Sequence, residues 1–477
     1  MDELLRLTAR EAVGLLRRRE LSPDELIDAA ASRIAATDGA LNALPTLCLE
    51  RAREAAKRLP ATPPDGAPPG YLHGLPIAVK DLTDVAGVRT TRGSPIFADH
   101  VPERSDIVVE RLEANGALVI AKANTPEFGA GAQTFNDVFG TTTNPWDTRL
   151  TPGGSSGGSA AALAAGQVWL ATGSDLGGSL RIPASYCSVV GLRPTPGRVA
   201  HGPTDLPFGG LSVEGPMGRT VGDVALMLDA EAGPHLADPL SLPAPARSYQ
   251  AAVDDPIPPR RVGFSPDLGV APIDPEVRAI CERGAGLFAD VGAEVEEANI
   301  DFTDAEEIFQ VLRAARFAAD KASLLETHRD ALKPEVVWNI EKGLALGADA
   351  IYAAERARGD LYRRVAAFFE THDLLLCPVV VAPPFDHHVR YLTELGGVAF
   401  PTYVSWLVLT FAITLTACPA ISVPCGFTAG GLPVGLQIVA PPHAEDRLLA
   451  AAALFEAAAG IDRRVPIDPR PEARAEA

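Results

Sequence analysis

Apolar residues fall into short unbroken runs set between longer stretches of helical period. Leu75-Pro-Ile-Ala-Val-Lys80, Ala117-Leu-Val-Ile-Ala-Lys122 and Trp169-Leu-Ala-Thr172 are such runs, and helix-like segments occupy residues 107–115 and 156–165 between them. Runs of this length alternating with helices predict parallel strands buried on both faces and joined by crossover helices. Ser22-Pro23-Asp24-Glu25 is a capping box with proline at the first helical position, so the first sixty residues are expected to be mostly helical. The Pro/Gly-rich stretch 59–70 reads as a linker, and so does the Pro/Ala-rich stretch 234–259. Beyond it, residues 261–264, 293–298, 373–377, 420–424 and 434–439 predict strands, whereas 305–326, 334–369 and 444–459 predict helices. There is no internal repeat.

Between Leu395 and Ala444 no Asp, Glu, Lys or Arg occurs, and residues 404–417 are apolar enough to raise a membrane question. Pro401, Pro419, Pro424 and Pro433 divide the span into pieces shorter than the ~20 residues a bilayer requires, so a buried helix followed by buried strands is expected. The 477 residues can bury a sizeable core, as one large domain with a subdomain or as two domains. A net charge of 42 − 61 = −19 repels phosphate backbones and anionic lipid, which argues against nucleic acid or a membrane surface as partner. The opening Met-Asp-Glu-Leu-Leu-Arg lacks the basic and apolar regions of a signal peptide, so a cytoplasmic protein is expected. The six cysteines form no CxxC pair and sit beside no His-rich segment, so they are read as small buried residues rather than metal ligands or a disulfide framework.

The chemistry concentrates in Gly153-Gly-Ser-Ser-Gly-Gly-Ser159 and Gly173-Ser-Asp-Leu-Gly-Gly-Ser-Leu-Arg-Ile-Pro183. Glycine on both sides of a serine allows positive φ and brings backbone N–H groups close to a bound atom, while the hydroxyl can attack a carbonyl. Gly153 to Gly157 also fits the letters of a GxSxG elbow, but that motif needs a strand immediately before it, and here a turn-rich loop, residues 144–152, leads in. The late histidines His372, His387, His388 and His443 are read as solvated loop residues rather than a catalytic base. Without histidine, a serine nucleophile can be served by a lysine held neutral by burial, and Lys80 ends an apolar run that should draw it inside, although a lysine at a strand end taken alone is more often solvated or ion-paired.

Gly74-x-Pro76-x-x-Val79-Lys80-Asp81, the two Gly/Ser runs and Gly191-Leu-Arg-Pro-Thr195 together closely resemble the amidase signature family. The likeness extends through Lys122-Ala-Asn-Thr-Pro-Glu-Phe128 and Asn144-Pro145-Trp146 to Pro419–Pro424 and Leu432–Ile438, about residues 8–460. It implies an α/β amidase-signature fold, a large mixed twisted sheet flanked by helices on both sides. Residues 1–60 would form an N-terminal helical region, 71–230 the signature core, and 260–465 the remainder of the same domain, with a variable substrate-pocket segment at 380–406. It also implies a Ser-Ser-Lys triad with Ser179 as nucleophile, Ser155 as bridge and Lys80 as base, and a cis Gly154–Ser155 peptide. Backbone N–H groups of Leu176, Gly177, Gly178 and Ser179 would form an oxyanion hole, Gly129 would open the acyl pocket, and Asp175 and Arg181 would be structural support. Walls are expected from Phe128 to Phe135 and from residues 391–406, where Phe400, Tyr403 and Trp406 would suit an apolar or aromatic substrate or belong to the core.

Members of the family cleave aliphatic and aryl amides and in some cases esters or carbamates, without metal or organic cofactor. The family's glutamine amidotransferase branch carries Ser-Ser-Leu-Asp-Gln after the nucleophile region, where this chain reads Gly210-Leu-Ser-Val-Glu-Gly-Pro-Met217. A stand-alone amide hydrolase, monomeric or homodimeric, is therefore the leading expectation. The alternatives are a non-catalytic binding protein on the same fold and one component of a transamidase complex.

Overall fold

The computed structural model describes residues 2–60, 69–461 and 464–472. Most of the expected linker 59–70 lies outside the described residues. Eleven strands form one mixed sheet: β1 (Thr46–Leu47), β2 (Pro76–Lys80), β3 (Leu118–Ala123), β4 (Leu170–Asp175), β5 (Val190–Arg193), β6 (Val213–Gly218), β7 (Arg261–Phe264), β8 (Glu294–Glu297), β9 (Leu374–Pro378), β10 (Ala420–Phe427) and β11 (Pro433–Val439). Their spatial order is β1-β3-β2-β4-β6-β5-β10-β11-β9-β7-β8. The expected parallel pairing holds for β2 with β3 and β4, and for β7 with β8 and β9. The centre is antiparallel instead, from β4–β6 through β6–β5, β5–β10 and β10–β11 to β11–β9.

Two of the central strands, β5 and β6, had no strand signal in the sequence. β6 reads Val-Glu-Gly-Pro-Met-Gly, a composition that disfavours a strand interior. Its glycines are there for close approach: a Cβ on Gly215 would lie 2.4 Å from the Leu192 carbonyl oxygen. Side chains on β9 alternate between two apolar cores, with Leu374 and Leu376 in one and Leu375 and Cys377 in the other. A strand buried on both faces in this way reads as the unbroken apolar run seen in the sequence.

Thr8 and Ser22 each cap an N-terminal helix through a capping box, as Ser22-Pro-Asp-Glu25 predicted. The stretch 334–369 is two helices, Pro334–Leu344 and Ala348–Phe369, rather than one. The break falls at residues 345–347, with Gly347 as the N-cap of the second. The Pro/Ala-rich stretch 234–259 is not wholly irregular, since Tyr249–Asp254 is helical and Tyr249 is buried. Among the described residues no helix is long and apolar enough to cross a membrane. The apolar span 404–417 holds the buried helix Val408–Leu415. Five of the cysteines are buried and Cys48 is partly so, all as free thiols.

Candidate active site

Parallel pairing of β2 with β4 sets the C-terminal end of β2, where Lys80 sits, beside the strand that leads into the second Gly/Ser run. The Lys80 backbone N–H donates to Thr172 Oγ1 at 3.0 Å, which ties the two strand ends together. The first Gly/Ser run closes over them from a loop in which Gly153 has φ +77° and the Gly154–Ser155 peptide is cis. The helix Gly157–Ala164 follows. A Cβ on Gly157 would lie 2.2 Å from Thr134 Oγ1 and one on Gly158 2.4 Å from the Asn124 N, so these two glycines permit the helix to enter where it does.

Lys80 is fully buried, with Nζ 2.7 Å from Ser155 Oγ, 2.9 Å from Ser156 Oγ and 3.0 Å from Ser174 Oγ. A neutral amine has two N–H donors and one lone pair, which matches three hydroxyl neighbours without any carboxylate. The Asp81 that follows it is not its partner: Asp81 pairs at 3.1 Å with the buried Lys122. Burial pulls the Lys80 ammonium down to about 7, with the negative charges of Glu214 and Asp175 pulling the other way. Lys80 thus has the environment of a base that is half neutral near neutrality. Ser156 and Ser174, which share in holding it, lie inside the two runs but were not singled out by sequence.

Ser155 is buried, whereas Ser179 is partly exposed, and both line one pocket. The Ser179 carbonyl accepts a 3.2 Å bond from the Ser156 N–H, which fixes the two runs against each other. Of the four backbone donors expected to face an oxyanion, Gly178 is excluded, because its N–H already donates to Asp175 Oδ1 at 2.9 Å. Those of Leu176, Gly177 and Ser179 have no protein partner among the described residues. Gly178 serves the loop differently: its φ is +119°, and a Cβ there would lie 2.3 Å from Thr410 Oγ1.

Asp175 sits under this loop, fully buried, 2.9 Å from Arg181 Nη2 and 3.4 Å from Arg193 Nη1. Burial alone would raise its carboxyl, but Arg181, Arg193 and the Gly178 N–H hold it far below the usual carboxylate range. The Leu180 N–H also donates to its Oδ2 at 3.2 Å. Arg181 extends the network to the Thr410 carbonyl at 3.0 Å and Thr414 Oγ1 at 2.9 Å. One carboxylate therefore anchors both ends of the turn that presents Ser179.

The pocket walls differ from the expected ones. Phe128 lines it, and so does Gly129, where a Cβ would lie 3.2 Å from Ser155 Oγ. Phe135 does not; its ring sits under the charged ends of Lys333 and Arg390. From residues 380–406 only Val404 reaches the pocket. Phe400, Tyr403 and Trp406 belong to the core, where Trp406 donates from Nε1 to the Tyr403 carbonyl and packs on Phe385. The opposite wall is instead built by Phe309, Arg313 and Phe317 of the helix Ala305–His328, with Leu407 closing it. Phe309, Phe317 and Leu407 gave no signal beyond helical periodicity and apolarity, and nothing in the sequence set Arg313 apart from the other arginines.

None of the late histidines lines this pocket. Asp386, His387 and His388 bring three ligand atoms within 4.8 Å of one another on a loop away from the pocket lining. His372 stacks on Phe368 and pairs with Glu296 at 2.6 Å.

The family model for Amidase matches residues 25–449. A glutamyl-tRNA(Gln) amidotransferase subunit from Moorella thermoacetica is 37% identical, over 97% of this chain and 99% of its own length. An acylamidase from Rhodococcus erythropolis is 35% identical, over 97% of each. The crystal structure of a bacterial aryl acylamidase of the amidase signature enzymes superposes with a TM-score of 0.88 at 28% identity, over 97% of this chain and 99% of that one. With a family model spanning most of its length and relatives of this identity covering nearly all of it, the chain belongs to the amidase family.

Proposed function

We propose that the protein is a stand-alone amide hydrolase that works through an acyl-enzyme on Ser179. The observation that carries this is the buried, carboxylate-free Lys80 with Nζ 2.7 Å from Ser155 Oγ, beside a partly exposed Ser179 in the same pocket. Neutral Lys80 takes the proton of Ser155 as Ser155 takes that of Ser179, and Ser179 Oγ adds to the amide carbonyl. The backbone N–H groups of Leu176, Gly177 and Ser179 receive the developing oxyanion; losing one such donor typically costs about 100- to 1,000-fold. The proton now on Lys80 returns through Ser155 to the departing nitrogen, which an amide requires because an amide anion is a very poor leaving group. Water then enters by the same relay and releases the acid.

An acyl or aryl amide suits the pocket, which is walled by Phe128, Phe309, Phe317 and Leu407. Aryl esters and carbamates meet the same geometric demands. The second reading, a component of a transamidase, draws on the likeness to the glutamyl-tRNA(Gln) amidotransferase. Free glutamine would bring an ammonium into the pocket, and among the described residues no Asp or Glu lines it to receive one. That favours the acylamidase-like reading.

The test is labelling with a small fluorophosphonate followed by peptide mapping, on wild type and Ser179→Ala, together with a screen of anilides, aryl esters and carbamates against glutamine. An adduct on Ser179 that is absent from the variant, with anilide turnover exceeding glutamine turnover, is expected. An adduct elsewhere, or glutamine as the better substrate, overturns the proposal.

A further inference from the structure

We infer that the amide substrate carries a carboxylate, received in the pocket by the guanidinium of Arg313. The inference rests on the reading of the Ser179 pocket as the substrate site. Arg313 lines that pocket with Ser155 and Ser179, yet it is only 4% exposed. Of its five N–H donors, one goes to Asn339 Oδ1, and the Tyr403 hydroxyl is a second polar neighbour. The guanidinium carbon lies 4.5 Å from the Phe317 ring centroid and 5.2 Å from that of Tyr403. No carboxylate among the described residues pairs with it.

The other buried arginines each have a countercharge or backbone carbonyls, although Nε and Nη2 of Arg193 and Nε of Arg219 have no hydrogen-bond partner among the described residues. Arg181 and Arg193 share Asp175, and Arg198 meets Glu445 at 3.2 Å. Arg219 has no carboxylate in contact among the described residues, but its Nη1 and Nη2 donate to the Leu5 and Leu7 carbonyls. Arg313 alone of these faces the substrate pocket. A guanidinium stays charged at any working pH, and burying it unpaired is costly, an expense that two aromatic faces offset only in part. A carboxylate arriving with the substrate would complete the pair with a fork-shaped, charge-assisted contact.

The surroundings agree. Although the chain carries a net charge of −19, no acidic residue among those described lines the pocket. Lys321, which also contacts Asp320, places its ammonium 5.0 Å from the Phe128 ring and 5.8 Å from Phe317, both of them pocket walls. The site therefore selects a molecule with an apolar or aromatic body and one anionic end. The carboxylate can sit on either the acyl or the amine side of the scissile bond, and the experiment separates the two.

Binding is measured by calorimetry on Ser179→Ala, which prevents turnover, with two matched pairs. 4-Acetamidobenzoate and its methyl ester place the charge on the amine side; N-phenylsuccinamate and its methyl ester place it on the acyl side. In at least one pair the acid is expected to bind about 10- to 100-fold more tightly than the ester, the range of a charge-assisted hydrogen bond. Adding Arg313→Met should bring that ratio to about one, and Arg313→Lys should restore part of it. Esters binding as tightly as acids in both pairs, an acid preference untouched by Arg313→Met, or no binding of either acid each overturns the inference. Fluorophosphonate labelling of Ser179 in the single Arg313→Met variant reports separately that the pocket is folded and the nucleophile active. A missing acid preference beside normal labelling thus condemns the inference alone, whereas a wild type without a Ser179 adduct condemns the hydrolase reading.

Discussion

Replacing Lys80 by methionine is expected to abolish turnover and, at neutral and acidic pH, to make the protein more stable. In the fold Lys80 titrates at about 7, against 10.5 for an unperturbed lysine. The unfolded chain therefore holds this proton over a window in which the folded protein does not. Stability owed to Lys80 is lowest below about pH 7 and recovers as pH rises toward 10.5. At 1.36 kcal/mol per unit, the burden is about 4–5 kcal/mol at pH 7 and below, and under about 1 kcal/mol at pH 10. Methionine removes it, but it also takes the partner from Ser155, Ser156 and Ser174, at about 1 kcal/mol for each hydroxyl. The difference favours the variant by about 1–2 kcal/mol at pH 6–7 and wild type by about 2 kcal/mol at pH 10. Thermal melts of both proteins across pH 6–10 should therefore cross. The same titration makes wild-type kcat/KM fall about tenfold per unit below pH 7. A variant less stable by a constant amount at every pH, or wild-type activity at pH 5 equal to that at pH 8, would refute a neutral buried lysine.

Gly178→Ala should lower kcat at least 100-fold with little change in KM, because the new methyl meets Thr410 at 2.3 Å in a backbone that alanine resists, displacing the Leu176–Ser179 turn; steady-state kinetics check this, and wild-type kcat would count against the oxyanion geometry. Asp175→Asn should cost about 3–5 kcal/mol, since it leaves Arg181 and Arg193 buried without a countercharge. Its denaturation midpoint would be compared with that of wild type, and an unchanged value would mean the network is not what holds the loop. The labelling of Ser179 and the acid-to-ester binding ratio at Arg313 complete the set.

Much of the candidate site was legible because its chemistry is local. Gly153–Gly158 and Gly173–Ser179 name their own backbone conformations, and the apolar run ending in Lys80 gave a lysine that could turn inward, a reading that the resemblance of the combined motifs favoured over a solvated one. The strands β2, β3 and β9 were legible for a similar reason, since burial on both faces leaves a nearly continuous apolar run. β6 was not, because its glycine and proline answer to neighbouring strands rather than to strand propensity. Nor could sequence show that Gly178 spends its N–H on Asp175, since a donor's partner depends on where a side chain three residues away turns.

The pocket walls show the division most plainly. Phe400, Tyr403 and Trp406 and the aromatic residues that replaced them in the pocket, Phe309 and Phe317, are alike in the sequence: large side chains with one face to bury. Which set lines the pocket is settled by how the helix Ala305–His328 lies across loops from much earlier in the chain. The candidate groups Lys80, Ser155 and Ser179 were legible in the chain itself, because a few adjacent residues suffice to place a hydroxyl in a tight turn and a lysine at the end of an apolar strand, and the resemblance of those motifs to the family supplied their expected roles. Lys80's isolation from Asp81, the choice of walls and the unpaired charge of Arg313 came instead from folding, because each is a balance of burial and electrostatics among groups that meet only when distant segments are packed together.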